Sequence, residues 1–445
     1  MPPKPIRESG WRELSHHLLA GPVDPRLTFL IFVACFSIYA ISPQGRPAFF
    51  DLLHGAEITR VAHTLVAEGS IAHPYASLPT GPTAHTAPAY VLLYAAVMKL
   101  FGFGWIGAMV LWALNVGFLA LQLALLPLLS ERLGLGILPG VLASAFGLLA
   151  QPYRVLPEWE SLFTGALLVT LCILTVSYFE SARPWRLSFL FGMLWGIAIL
   201  ANPECVLLMF VWSHIAARES SRELMSRSRR AMLIAVAGAA LACLPWFVRN
   251  YEQFHAIFFV RDNFGLELST SNNECARPTV LENITSGCYA KFHPNPNAAI
   301  AGEIIEKGEI QFERERLRQA IAWIRLNPRA FASLTIRRFG RFWFPYLNGA
   351  RYAIPAGILT IFSFGGMIGM LRKHRLAGLL FGSTCLLYPL VHYLIQFEAR
   401  YRYPIFWVTL VPAAYAMLEI ARSLRGSTNS ASGAVLEKQQ EIVSI

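Results

Sequence analysis

The chain has 445 residues, 55% of them hydrophobic and 15% charged, and its mean hydropathy of +0.46 lies well above that of an ordinary soluble domain. That balance all but excludes a water-soluble enzyme. The formal net charge of +11 would point to nucleic acid in a soluble protein, but here the arginines cluster at the ends of apolar runs, where they set topology or meet phosphate head groups, so no nucleic-acid partner is expected.

Met1 to Arg26 carries Lys4, Arg7 and Arg12 without a short apolar core and small-residue cleavage site, so the first span is expected to direct insertion. Apolar runs near 27–43, 105–129, 136–150, 162–178, 188–201, 204–216, 232–247, 354–371, 377–395 and 404–421 read as about ten spans of a polytopic all-α protein. The fifth and sixth are separated only by Asn202-Pro203-Glu204 and are read as a tight helical hairpin. With that count, the basic stretches Glu131-Arg132, Arg183 to Arg186, Arg218 to Arg230, Arg372 to Arg375 and Arg422 to Arg425 share one side. Both termini are then cytoplasmic: an N-terminal segment 1–26 and a disordered tail 422–445. The spans form a core over 27–247 and a C-terminal set over 354–421.

Two long connections remain on the opposite face, a first loop 44–104 and a larger segment 248–353. Asp51, Glu57, Glu158, Glu160 and Glu398 sit at or beyond that surface, a pattern of interfacial chemistry rather than of a mid-membrane transport path. In the first loop, Leu52, Leu53, Ala56, Val61 and Leu65 have helical spacing over Phe49 to Ala67, and Tyr90 to Phe101 is too short to span, so both are expected along the membrane surface. In the larger segment, Asn263 to Asn297 reads as irregular, Glu303 to Arg325 as one amphipathic helix and Pro328 to Phe342 as a basic, aromatic one. Cys275 and Cys288 are the two cysteines of an outside loop and predict a disulfide; CxxC metal spacing is absent.

Leu244-Pro-Trp-Phe-Val-Arg-Asn-Tyr251 and Phe254 to Asn273 resemble bacterial membrane glycosyltransferases of the GT-C class, relatives of dolichyl-phosphate-mannose protein mannosyltransferases and of the aminoarabinose transferase of lipid A. Pro88-Ala-Tyr90, Ile324-Arg-Leu-Asn-Pro328, Arg341-Phe-Trp343 and Ala399-Arg-Tyr-Arg-Tyr-Pro404 resemble further landmarks in family order. The resemblance covers nearly the whole chain. It implies a GT-C helical bundle in a bacterial inner membrane. Such an enzyme moves a sugar from a polyprenyl-phosphate donor to a lipid, glycan or protein acceptor at the periplasmic face, by an inverting single displacement.

Family members place an essential carboxylate in the first outside loop; His54 and Gly55 stand here where many carry Asp-Glu. Asp51 and Glu57, about one helical turn to either side, are the candidate bases, with His54 between them to orient a carboxylate or act itself. Glu158 and Glu160 could hold the acceptor or complete a site for a divalent cation, Mg or Mn; at i and i+2 they point to different helix faces. Arg249, Arg400 and Arg402 are the candidates for the leaving phosphate, because a guanidinium offers two parallel hydrogen bonds. His85 is a further candidate for that phosphate, since it precedes Thr86, which stands where the aminoarabinose enzyme carries its phosphate-binding lysine. The rival readings are a transporter or flippase of lipid-linked sugars, and a catalytically inactive lipid-binding relative.

Overall fold

In a computed structural model, which describes residues 23–46, 55–179, 185–219, 222–345 and 350–443, each of the ten apolar stretches coincides with a helix. The first, α1 (Pro25–Ile41), begins where the Asp24 side chain accepts a hydrogen bond from the Arg26 amide at 2.8 Å and Pro25 fills the first helical position. Two helices, α2 (Glu57–Glu68) and α3 (Pro88–Phe101), occupy the first long connection. The bundle continues with α4 (Trp105–Ala124), α5 (Leu126–Arg132), α6 (Ile137–Ala150), α7 (Ser161–Phe179), α8 (Trp185–Ala201), α9 (Cys205–Glu219) and α10 (Arg222–Phe254). The second long connection holds α11 (Phe264–Ser271), α12 (Val280–Thr285), α13 (Cys288–Phe292), α14 (Ala298–Lys307), α15 (Glu309–Leu326) and α16 (Pro328–Trp343). Last come α17 (Ala350–Lys373), α18 (Arg375–Leu387), α19 (Leu390–Leu394), a 3-10 turn (Ala399–Ile405) and α20 (Trp407–Val443).

Among the described residues β structure is limited to two isolated bridges, and the architecture is that of an all-α polytopic membrane protein. Among the described residues, four helices are long and apolar enough to cross a membrane on their own, Trp105–Arg132, Arg230–Phe254, Arg351–Lys373 and Arg375–Leu394. A fifth is counted if Ala399–Ile405 and Trp407–Arg425, bent by 63°, act as one span; several other apolar helices are shorter.

Close packing follows from small residues. A Cβ added to Gly192 would stand 1.9 Å from the Ala235 carbonyl oxygen, and one on Gly238 would stand 2.4 Å from that of Phe189, so α8 and α10 touch backbone to backbone. Trp195, Trp212 and Trp407, all fully buried, meet edge to face at 5.6 and 6.4 Å and tie α8, α9 and α20 together.

The structure departs from the sequence reading at three places. Ala56 is extended (φ −92°, ψ 157°), so a single helix does not run through Phe49 to Ala67. Asn263 to Asn297 is not uniformly irregular: it contains α11, α12 and α13, the second of them started by a capping box between Thr279 and Glu282. The amphipathic stretch over Glu303 to Arg325 is divided at Gly308, whose φ of +80° suits glycine and ends α14 before α15 begins.

The two ends of the bundle differ. At one, Glu131 accepts the Val23 amide, Arg375 pairs with Glu219 at 3.2 Å, and Glu419 pairs with Lys373 and with Arg422. These groups belong to the basic turns that topology puts on one side. At the other end the two long connections fold over the bundle. There Cys275 and Cys288 form a disulfide with a Cα–Cα distance of 5.7 Å, joining the start of α13 to the segment before α12.

Candidate active site

At that second end a cavity of about 1130 Å³, counted out to its open mouth, lies between five separate stretches of chain. Glu57 and Thr86 come from the first connection, Trp159 and Glu160 from the start of α7, Asn202 and Glu204 from the turn between α8 and α9, Arg261 and Glu267 from the second connection, and His392, Arg400 and Tyr401 from the segment before α20.

Local breaks in the helices create this convergence. The extended Ala56 makes Glu57 the first residue of α2, where the positive end of the helix favours a carboxylate. Extended Ala87 and Pro88 in the first helical position start α3 and leave the strand-like segment before it free to carry His85. That segment is pinned from several sides. The Ala84 amide donates to Glu309 Oε1 at 2.6 Å, the Asp262 amide to the Ala84 carbonyl at 3.1 Å, and Arg261 Nε to the His85 carbonyl at 2.9 Å.

The fixed His85 reaches Glu57. Its Nε2 lies 3.0 Å from Glu57 Oε2, and its Nδ1 shares a hydrogen bond of 3.1 Å with the Tyr75 hydroxyl. His293 Nε2 stands 3.8 Å from Glu57 Oε1, while its Nδ1 accepts from the Asn295 amide at 3.1 Å. That bond fixes the neutral tautomer with its proton on Nε2, toward the carboxylate. Burial opposes charge on Glu57, but the charge and hydrogen bond of His85, then His293 and Arg400, outweigh it and hold the carboxyl down at about 2. Burial also works against the His85 imidazolium; the adjoining Glu57 overcomes it and raises His85 above its ordinary value. On His293 burial wins, pushing the ring down to about 4. Burial raises Glu267. The Glu57 carboxylate, 12% exposed at the pocket wall, is therefore held ionised.

Arg400 lies over the Trp159 ring, 3.5 Å from its centroid, and donates from Nε to Glu398 at 2.6 Å. Its charge acts on Glu57 and Glu267 alike. The other two arginines proposed for phosphate are placed elsewhere. Arg249 donates to the Thr83 and Ile71 carbonyls, both at 2.9 Å, and clamps the first connection. Arg402 is 1% exposed and donates to the Trp343 carbonyl and Thr360 Oγ1, both at 2.6 Å. Neither lines the pocket. Of the pair on the start of α7, Glu160 lines it and Glu158 does not. Asp51 and His54 lie outside the described residues. Among the described residues no three His, Cys, Asp or Glu side chains come together to hold a metal ion.

The arrangement of helices is matched by solved structures. The crystal structure of an oligosaccharyltransferase from Archaeoglobus fulgidus, tethered with an acceptor peptide containing the NVT sequon, aligns at TM-score 0.52 and 14% identity, over 90% of this chain and 50% of its own. The oligosaccharyltransferase AglB of the same organism, in complex with an inhibitory peptide and a dolichol-phosphate, aligns at TM-score 0.50 and 14% identity, over 90% and 52%. The chain has a GT-C-like fold. ArnT from Cupriavidus metallidurans, bound to undecaprenyl phosphate, aligns at TM-score 0.36 and 14% identity over 92% and 78%. This chain spans about half the length of the archaeal enzymes. No protein-family model matches it, and no curated protein does.

Within this GT-C-like fold, Arg261, Glu267, Glu204 and His392 line the pocket although no spacing in the sequence marks them. Arg261 alone had a signal, as an isolated cation in the second outside segment after Phe254.

Proposed function

We propose that the chain is a membrane glycosyltransferase that moves a sugar from a polyprenyl-phosphate donor to a lipid, glycan or protein acceptor at the periplasmic face of a bacterial inner membrane. The observation that carries this reading is the ionised Glu57 in one pocket with Arg400 and Arg261, at the end of the bundle opposite the basic turns. The structural neighbours add support of a general kind, since one is described with a dolichol-phosphate and another with an acceptor peptide.

In this reading Glu57 takes the proton of the acceptor group as its heteroatom bonds to the anomeric carbon. The bond from that carbon to the phosphate oxygen breaks, and the electron pair leaves with the phosphate. Arg400 and Arg261 stabilise the charge that develops there, in a site where burial strengthens their effect. Attack opposite the leaving group inverts the anomeric configuration. His85 and Tyr75 hold Glu57 in place.

The test is transfer of labelled sugar by purified protein from a panel of polyprenyl-phosphate sugars, with Glu57→Gln, Asp51→Asn and Arg400→Ala beside the wild type. Glu57→Gln is expected to lose roughly 10²–10⁴-fold in transfer rate. Loss in Asp51→Asn with full activity in Glu57→Gln would move the base to Asp51. Absence of transfer from every donor would overturn the reading in favour of transport or lipid binding.

A further inference from the structure

The pocket also carries a second set of polar groups without a role in the steps above. His392 is 5% exposed and is sandwiched between the Tyr401 ring, 4.6 Å away at 12°, and the Phe342 ring, 5.9 Å away at 15°. The stacking fixes the plane of its imidazole. Its Nε2 pairs with Glu204 Oε2 at 3.0 Å, while its Nδ1 is buried without a hydrogen bond. A buried polar atom costs about 1–3 kcal/mol when left unpaired.

The turn that carries Glu204 is rigid. Asn202 Oδ1 accepts the Glu204 amide at 3.0 Å, and Asn202 Nδ2 donates to the Tyr388 hydroxyl at 2.9 Å. The Tyr388 hydroxyl thus has its own proton still to give. His392, Glu204 and Tyr388 all line the pocket. Together they offer a carboxylate acceptor, an imidazole that can donate or accept, and a hydroxyl donor, next to the aromatic ring of Tyr401. That combination matches the neighbouring hydroxyls of a sugar ring, each of which can donate and accept.

We infer that Glu204, His392 and Tyr388 form the subsite of this pocket that binds the hydroxyls of a neutral hexose. The inference rests on the proposed function and adds the residues that sense the sugar rather than its carrier. A lipid phosphate without sugar would leave His392 Nδ1 without a partner. A sugar-bearing one would supply it, so the subsite separates loaded donor from spent carrier.

The experiment compares binding of farnesyl phosphate with that of farnesyl-phosphate mannose and farnesyl-phosphate glucose, by calorimetry on detergent-purified protein. Wild type is expected to bind at least one sugar-bearing lipid about tenfold more tightly than farnesyl phosphate. Glu204→Gln and His392→Gln are expected to lose that gain while binding farnesyl phosphate as wild type does, which also shows that each variant is folded. If farnesyl phosphate binds and the sugar adds nothing, or the gain survives in both variants, the inference is overturned and the proposed function stands. If farnesyl phosphate itself does not bind to wild type, the proposed function fails and the subsite with it.

Discussion

Replacing His85 by Ala removes the group that does most to keep Glu57 ionised. In the folded protein Glu57 is held at about 2 against an ordinary 4.5, a difference of about 3 kcal/mol at about 1.4 kcal/mol for each factor of ten. The His85 charge and its 3.0 Å hydrogen bond oppose the burial of this carboxyl. Without them burial is the largest influence left, and the carboxyl moves above its ordinary value, against the weaker pull of His293 and Arg400. The acid limb of kcat/KM for sugar transfer reports a base of the free enzyme. It should therefore lie near the bottom of the accessible pH range in wild type and rise above about pH 4.5 in His85→Ala. Stability follows the same sign. A depressed Glu57 stabilises the fold above pH 4.5, and this is lost as pH falls toward about 2. The measurement is a pH profile of labelled-sugar transfer between pH 3 and pH 8 for both proteins. An acid limb that stays in place in His85→Ala would refute the coupling.

Two further outcomes follow from the geometry. Arg249→Lys should lower thermal stability, because the Thr83 and Ile71 carbonyls lose a two-pronged partner worth about 1.5–3 kcal/mol per charged hydrogen bond. Farnesyl phosphate binding should survive in this variant but weaken in Arg400→Ala, and calorimetry separates the two. Glu309 is raised by burial to about 7, so its contribution is present below pH 4.5 and is lost as pH rises through 7. Glu309→Gln keeps an acceptor for the Ala84 amide and should raise Tm at pH 8 relative to wild type, with little change at pH 4.5; equal Tm values at pH 8 would contradict the assignment.

Hydropathy made the bundle legible, since each apolar run from Leu27 onward needed a helix to satisfy its backbone in lipid. Pro88 and the Asn202-Pro203-Glu204 turn were legible too, because proline and a side-chain cap mark helix starts locally. The break at Ala56 carried no such mark, as alanine is the best helix former, and only the tertiary setting makes it extended. Gly308 could have been read as a helix end but was masked by charged and apolar residues that keep helical spacing on both sides. The arginines show the deeper limit. Arg249, Arg400 and Arg402 look alike at the edges of spans, and whether a guanidinium grips backbone carbonyls or faces a cavity depends on neighbours far away in the chain. His293 and His392 lacked any signal for the same reason: their partners, Glu57 and Glu204, are distant in sequence.

The helices flanking the Asn202–Glu204 turn have 17 and 15 residues. At 1.5 Å per residue they reach roughly 25 and 22 Å, against hydrocarbon about 30 Å thick. That shortfall must be met by thinning of the bilayer or by sinking the turn beneath the head groups. Under the proposed function, a carrier whose phosphate rides at the head-group level would then meet the cavity with its tail still in the leaflet, without being lifted into water.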